Sequence, residues 1–366
     1  MGHEIGLCAF FGYQGPPKRM ILNDAEFTIY GQMADKFFND AIGLHYVDWD
    51  ADALITLQDV WVLDGWGQRV ERWFPWLPVD TDPVSQAVLK SIRGCEAPLA
   101  WTRWSTEQLR EHGHPETVYL PLAVDTKLYR PRDKAEARHQ TGLPQDAFIV
   151  GMVAANASKP SRKSFPEVFC AWEQWRDCND RMLYLHTSIS PKRLSGITLD
   201  NVLNTMGLPW ATIDEPDQDM RDASDIWFAR QYGIWSDRYT DTELMWLYNS
   251  FDVLLAPSMS EGFGIPIVEA QACGVPVITQ DTTAMTELTC AGWCLEPAAP
   301  YWEPQGGWRG VASPERICDA LDAAFEVSQN PAARKRMAER GVAFAQNYDW
   351  DRVVSEYWAP FLESIA

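Results

Sequence analysis

Residues 252–279, DVLLAPSMSEGFGIPIVEAQACGVPVIT, decide how the chain is to be read. The apolar run Val253–Ala256 predicts a buried strand that stops at Pro257. A loop of small residues follows over 258–264, Pro266 stands where a helix would begin, and Gly274 where it would end. Strand, glycine loop and helix N-terminus in that order make an anion site, because free backbone amides and the helix dipole both point at whatever fills the loop. Gly262 and Gly264 let the backbone approach closely, though turn geometry alone explains such glycines about as often. Glu261 in the loop and Glu269 in the helix strengthen the reading, since their spacing lets both face one crevice. The plainer alternatives are a solvated loop acid for Glu261 and helix-dipole complementarity for Glu269.

Outward from this segment the same alternation of short apolar runs and helical stretches recurs. On the N-terminal side the strands Ala53–Leu57, Ala97–Trp101 and Val118–Leu122 alternate with helices at Val84–Ile92 and Ser105–Glu111. A second series has strands at Phe148–Ala154, Met182–His186, Val253–Ala256 and Val275–Thr279, with helices at Phe165–Trp175, Asp241–Ser250 and Pro266–Cys273. Such alternation implies βαβ units and parallel sheets. Residues 187–240 show no clean period and read as long loops with one helix near Leu199–Met206. Helices are also expected at Pro314–Gln329, Pro331–Asn347 and Val353–Ile365. The charged stretch 123–147, punctuated by Pro131 and Pro144, reads as a boundary, giving domains at 1–143 and 144–345 and a terminal segment at 346–366. Two doubly wound domains would bind a ligand outside the carboxyl ends of their strands.

A length of 366 residues suits two domains, and 46% apolar with 22% charged residues excludes wholesale disorder, collagen and coiled coil. The net charge is −20, of which residues 1–143, with 14 basic and 20 acidic side chains, carry −6. That surface repels polyphosphate at long range, so non-specific nucleic-acid binding and attachment to an anionic membrane are not expected. Eight scattered cysteines without CxxC pairs suggest reduced thiols in a cytoplasm, and Cys290 and Cys294 read as packing rather than a metal site. No transmembrane segment or secretory leader is expected. Tryptophan is abundant, at 18 residues. Trp61, Trp66, Trp73, Trp76, Trp101 and Trp104 cluster in the N-terminal half, where they suit either a core or the stacking of a carbohydrate or aromatic molecule.

The run EGFGIPIVEAQACGVPVI resembles the signature of the retaining, nucleotide-sugar-dependent glycosyltransferases of family 4. Val124-Asp125-Thr126 with Tyr129-Arg130-Pro131 is similar to that family's interdomain stretch, and Phe148–Trp172 adds support. The resemblance implies an α/β chain of GT-B fold, two facing Rossmann-like domains. It further implies that the first domain lacks its opening strand-loop-helix unit, because Met1–Ile5 resembles the end of a helix. The terminal helix is then expected to return to the N-terminal domain.

By the same resemblance Glu261 contacts the donor sugar and Glu269 the donor ribose. The backbone of Gly262, Phe263, Gly264, Ile265 and Pro266 lines the donor site. Lys163 matches the lysine that grips the diphosphate, and Arg162 supplies a second positive charge in place of the family's arginine, where Ser158 stands. Asp59, after the strand Ala53–Leu57, faces donor or acceptor, or else caps the next turn. His186 lies near the nucleobase, or is a satisfied core histidine. Cleaving a sugar–diphosphate bond leaves negative charge on the phosphates, so cations and helix amides must be aimed there. The implied reaction moves a hexose from a UDP- or GDP-sugar, used as co-substrate with no further cofactor and no metal site, to an acceptor hydroxyl. The acceptor is a carbohydrate, a small molecule or a modified base. The alternative is a protein that binds the nucleotide sugar without transferring it; an epimerase or a phosphorylase fits less well, since neither acid/base pair nor cofactor lysine can be located.

Overall fold

The computed structural model describes residues 3–8, 12–22, 25–63, 65–176, 180–191 and 195–366. Contacts divide the chain into two compact units. The first comprises Met1–Pro121, Pro304–Gly307 and Val354–Ala366, and the second Leu122–Glu303 and Trp308–Val353.

In the first unit β1 (Gly6–Cys8), β2 (Lys18–Leu22) and β3 (Ala25–Tyr30) form a sheet of order β1-β3-β2, in which β1 runs parallel and β2 antiparallel to β3. After α1 (Ile42–Asp48), a parallel sheet is built in chain order from β4 (Leu54–Leu57), β5 (Trp73–Leu77), β6 (Leu99–Ala100) and β7 (Val118–Tyr119), with α2 (Gln86–Ser91) and α3 (Arg103–Glu111) between strands. Strand β5 is absent from the sequence expectation because Pro75 interrupts it, and proline normally argues against a strand interior. The opening strand Gly6–Cys8 leaves Leu7 41% exposed. Of the helix end read at Met1–Ile5, His3–Ile5 form no helix, and Met1 and Gly2 lie outside the described residues.

The tryptophan cluster of this unit is mostly core. Trp66 and Trp73 are buried with ring centroids 6.1 Å apart, in one cluster with Ile42, Ile92 and Leu109. Trp76 donates Nε1–H to the Leu120 carbonyl and meets the Trp358 ring edge-on at 4.9 Å. Phe361, in the last helix Ala359–Ile365, packs edge-to-face on Phe74 at 5.4 Å, and Arg72 donates to the Ile365 carbonyl. Trp61 alone of the six is strongly exposed, at 47%.

The second unit continues with α4 (Lys134–Thr141), β8 (Phe148–Val153), α5 (Phe165–Trp175), β9 (Arg181–His186), α6 (Leu199–Met206), β10 (Trp210–Thr212), α7 (Gln218–Asp222), β11 (Ile226–Phe228), α8 (Gln231–Trp235), α9 (Asp241–Ser250), β12 (Val253–Ala256), α10 (Ile265–Ala272), β13 (Val277–Gln280), α11 (Ala284–Leu288) and β14 (Gly292–Leu295). A hairpin, β15 (Ala299–Glu303) and β16 (Gly307–Val311), precedes α12 (Pro314–Gln329) and α13 (Pro331–Ala345). The seven-stranded sheet has the order β10-β11-β9-β8-β12-β13-β14, and every pair in it is parallel. Strands such as β8, FIVGMV, are buried on both faces, which explains why they read as continuous apolar runs. Gly151 is required in β8, since a Cβ there would stand 2.1 Å from the Phe251 ring. Strands β10 and β11 fall where the sequence suggests long loops; at three residues each they are too short to show a period.

Residues 122–143 belong to the second unit, which moves the expected boundary. The charged side chains that suggest a linker are paired inward. Arg138, 5% exposed, donates to Asp252 at 2.7 Å and to the Ser250 carbonyl at 3.1 Å, and Lys134 reaches the other Asp252 oxygen at 2.5 Å. Asp252 also accepts the Ile149 amide of β8 at 2.8 Å, so one carboxylate staples α4 to the central strand. Removing one partner of such a buried pair costs about 3–5 kcal/mol. Arg138→Ala is expected to lower the unfolding free energy by about that much in a urea titration. An unchanged midpoint would show that the staple carries no stability.

Candidate functional site

The strand order reverses direction between β8 and β12, the switch point of a doubly wound sheet, where ligands bind outside the carboxyl ends of the strands. The loop after β8 carries Arg162 and Lys163 just before α5, and the loop after β12 carries Glu261 just before α10. The two loops meet. Lys163 Nζ is bonded to Glu261 Oε1, Arg162 Nη1 lies 3.1 Å from Glu261 Oε2, and the same nitrogen donates to the Ser260 carbonyl at 2.7 Å. The Met259 amide also donates to the Arg162 carbonyl at 2.8 Å, which joins the loops through their backbones. Arg162 is therefore aimed at the Glu261 loop.

Burial pushes the Glu261 carboxyl up, but the neighbouring charges of Lys163 and Arg162 outweigh it and hold the group down at about 2. Two cations face one carboxylate here, in a chain of net charge −20. The N-terminus of α10 adds its own positive potential. Gly264 begins that helix at φ +104°, where a Cβ would come within 2.8 Å of Ile267. Its backbone conformation is open only to glycine at low cost.

Side chains that sequence reasoning passes over hold this geometry. Ser158, at the position of the missing family arginine, accepts the Arg162 amide on its hydroxyl at 2.9 Å and so shapes the cationic loop. Thr283 accepts the Glu261 amide and donates to the Glu261 carbonyl, both at 3.0 Å, from a strained backbone at φ +49°. Neither residue carries a local signal, because each matters through a contact with a distant loop.

The other expected site residues divide. Gly262 is buried, Ile265 is exposed and Pro266 lies in the first turn of α10. Phe263 turns its side chain inward, 2% exposed and edge-on to Tyr348 at 5.6 Å, so it anchors the loop and leaves only its backbone for a ligand. Glu269 is held apart from the cations. It accepts the Tyr248 hydroxyl at 2.7 Å and a second hydroxyl from Tyr129. Burial pushes its carboxyl up to about 7 against these two hydrogen bonds. His186 ends β9 with its ring against Tyr239 at 4.4 Å, and burial pushes it down to about 4, so it is neutral at physiological pH. Its Nδ1 is buried with no hydrogen-bond partner among the described residues, which argues against a satisfied core histidine. Asp59 belongs to the first unit, exposed at the start of the turn Val60–Val62, and its side chain does not cap that turn. Among the described residues no group of three or more His, Cys, Asp or Glu could hold a metal ion, and no helix is long and apolar enough to cross a membrane.

Residues 234–300, which contain the Glu261 loop and α10, match the family model "Glycosyl transferases group 1". Over these residues the chain is similar to the group 1 glycosyl transferases. A D-inositol 3-phosphate glycosyltransferase of Catenulispora acidiphila is 28% identical over 180 residues, 49% of this chain and 38% of the relative. A GDP-mannose-dependent alpha-(1-6)-phosphatidylinositol dimannoside mannosyltransferase of Mycobacterium tuberculosis is 26% identical over 261 residues, 70% of this chain and 55% of the relative. The chain thus spans about half the length of the curated relatives it matches. Among solved structures, a sucrose-phosphate synthase from Thermosynechococcus elongatus superposes with a TM-score of 0.69 at 17% identity, covering 96% of this chain and 86% of the other. Anabaena HepE in complex with UDP-glucose gives 0.67 at 17%, covering 92% and 86%. These likenesses establish the α/β GT-B fold.

The raised Glu269 carboxyl has a consequence for stability. It keeps its proton in the folded chain after the unfolded chain has lost its own, so its contribution is fully present below the ordinary carboxyl range and is lost as pH rises to about 7. Glu269→Gln cannot ionise. Its melting temperature is expected to gain on the wild type between about pH 5 and about pH 8. A difference that stays flat over that interval would place the Glu269 carboxyl in its ordinary range.

Proposed function

We propose that the protein is a retaining glycosyltransferase of family 4 that moves a hexose from a UDP- or GDP-sugar to an acceptor hydroxyl, in the cytoplasm and without a metal ion. The observation that carries this reading is the convergence of Lys163, Arg162 and Glu261 beside the amides of α10 at the switch point of the sheet. A half-buried lysine and arginine with a helix N-terminus beside them are the groups that recognise a pyrophosphate. The donors named for two similar proteins, UDP-glucose and GDP-mannose, are of this class. The free cysteines of the described residues suit a reducing compartment.

The ion pairs suggest how the site works. As the diphosphate engages Lys163 and Arg162, the Glu261 carboxylate is released towards the hydroxyls of the donor sugar. Glu269 with its two tyrosines meets the ribose diol, His186 meets the nucleobase, and Asp59 serves the acceptor side. The bond from the anomeric carbon to the diphosphate oxygen breaks while the bond to the acceptor oxygen forms on the same face. Lys163, Arg162 and the helix amides stabilise the charge that collects on the leaving group. A carboxyl held at about 2 is a poor general base at neutral pH, so Glu261 does not take the acceptor proton. The departing phosphate oxygen takes it instead, and the anomeric configuration is retained.

Lys163→Ala and Glu261→Gln are expected to lower transfer by about a hundredfold or more. Lys163→Ala should also abolish the thermal stabilisation given by UDP or GDP, read as the shift from that variant's own unliganded melting temperature. Full activity in both variants would refute the site. A product of inverted anomeric configuration, read from its proton coupling constant, would refute the mechanism.

A further inference from the structure

The end of β13 and the loop that follows it hold the backbone of the Glu261 loop at nearly every step. Gln280, buried at the end of β13, donates its side-chain amide to the carbonyls of Pro257 and Ser258 at 3.0 and 2.8 Å. Thr282 donates to the Met259 carbonyl at 3.3 Å, and the Gly310 amide reaches the same oxygen at 2.9 Å. Thr283 accepts the Glu261 amide and donates to the Glu261 carbonyl, which also takes the Ala284 amide at 3.4 Å. With Arg162 on the Ser260 carbonyl, each carbonyl from Pro257 to Glu261 has a partner on another loop or strand. The loop backbone is therefore fixed, and what is left to rearrange at Glu261 is its side chain. Thr283 is the member of this set whose own conformation is unfavourable. Its φ of +49° and ψ of −133° lie outside each region that a residue with a Cβ ordinarily occupies. Glycine would relieve that conformation, and alanine would not. The two bonds to Glu261 need a hydroxyl, which glycine lacks. A buried, strained backbone that keeps one side-chain contact in place points to a task for that contact.

We infer that Thr283 is a positioning residue that sets the place of the Glu261 carboxylate against the donor sugar; this rests on the glycosyltransferase reading above. Its hydroxyl bridges the amide and the carbonyl of one residue, and so fixes the direction in which the Glu261 side chain leaves the loop. That direction brings the carboxylate to Lys163, to Arg162 and to the Ser258 hydroxyl. A displacement of about 1 Å in a group that meets the reacting sugar costs on the order of a hundredfold in rate. In the same reading the nucleotide and the diphosphate are held by other groups. Thr283 therefore bears on the sugar and leaves the nucleotide alone.

Titration calorimetry on the full chain with UDP, UDP-glucose, GDP and GDP-mannose tests the assignment, for the wild type and for Thr283→Ser, Thr283→Ala and Thr283→Gly. The quantity read is the affinity for a nucleotide sugar divided by the affinity for its nucleotide. That ratio is expected to fall about tenfold in Thr283→Ala and in Thr283→Gly, the loss of one charge-assisted hydrogen bond to the sugar, and to be restored in Thr283→Ser. The melting temperature is expected to follow a different order, with Thr283→Gly above Thr283→Ala, because glycine relieves the strain that alanine keeps. The positioning task is overturned if the ratio follows the melting temperature, with Thr283→Gly nearer the wild type than Thr283→Ala, or if neither variant moves it. A wild type that binds neither nucleotide sugar overturns the donor reading and this inference with it. A wild type that binds one of them, with the ratio unmoved in the variants, overturns the role of Thr283 alone.

Discussion

The second unit is arranged around one electrostatic compromise. Lys163, Arg162 and Glu261 are brought largely out of water at the carboxyl end of a parallel sheet, where an isolated charge would be costly and a matched set is tolerable. The set lies beside the N-terminus of α10, whose amides add positive potential there. The remainder of the unit keeps this arrangement in place. Gly264 allows the sharp entry into α10, Thr283 fixes the backbone of Glu261 from both sides, and Ser158 holds the turn from which Arg162 projects.

The two glutamates of the signature show how environment divides one residue type into two chemical states. Glu261 is surrounded by charge of the opposite sign and remains ionised far below the ordinary range. Glu269, in the helix that follows, is also buried but has tyrosine hydroxyls instead of cations for partners, and burial wins. A site that holds one carboxylate firmly charged and another near its titration point can meet a cationic sugar centre with the first and a neutral diol with the second. The neutral His186 at the end of β9 follows the same rule, since its ring is desolvated against Tyr239 with only the distant charge of Glu243 to oppose that.

Support for function is distributed unevenly over the chain. Of the conspicuous tryptophans in the first unit, Trp66 and Trp73 are core, and Trp76 is locked between the Leu120 carbonyl and Trp358. Trp302 and Trp308, on the hairpin β15–β16, stay exposed, and Gln280 and Gly310 tie that hairpin to the Glu261 loop. Abundance of tryptophan therefore did not by itself mark a binding face.

Much of the second unit was legible because its elements are long and locally consistent. Helices at 165–175, 199–206, 241–250 and 314–329 follow from apolar periodicity and caps, and β12 from its unbroken apolar run. Glu261 and Glu269 stand out in the sequence because a strand, a glycine loop and a helix start follow one another there, whereas Lys163 stands out only through the family resemblance. Three-residue strands such as β10 and β11 carry no period, and Pro75 disguised β5. The charges of 134–138 looked like solvated linker until Asp252 appeared opposite them. By itself, then, the sequence determined the parallel α/β architecture and the residue types of the anion site, since both are written in local pattern. Only the tertiary structure decided which way Arg162 points, that Phe263 faces the core, and that burial raises the Glu269 carboxyl, because each depends on partners distant in sequence that no local pattern names.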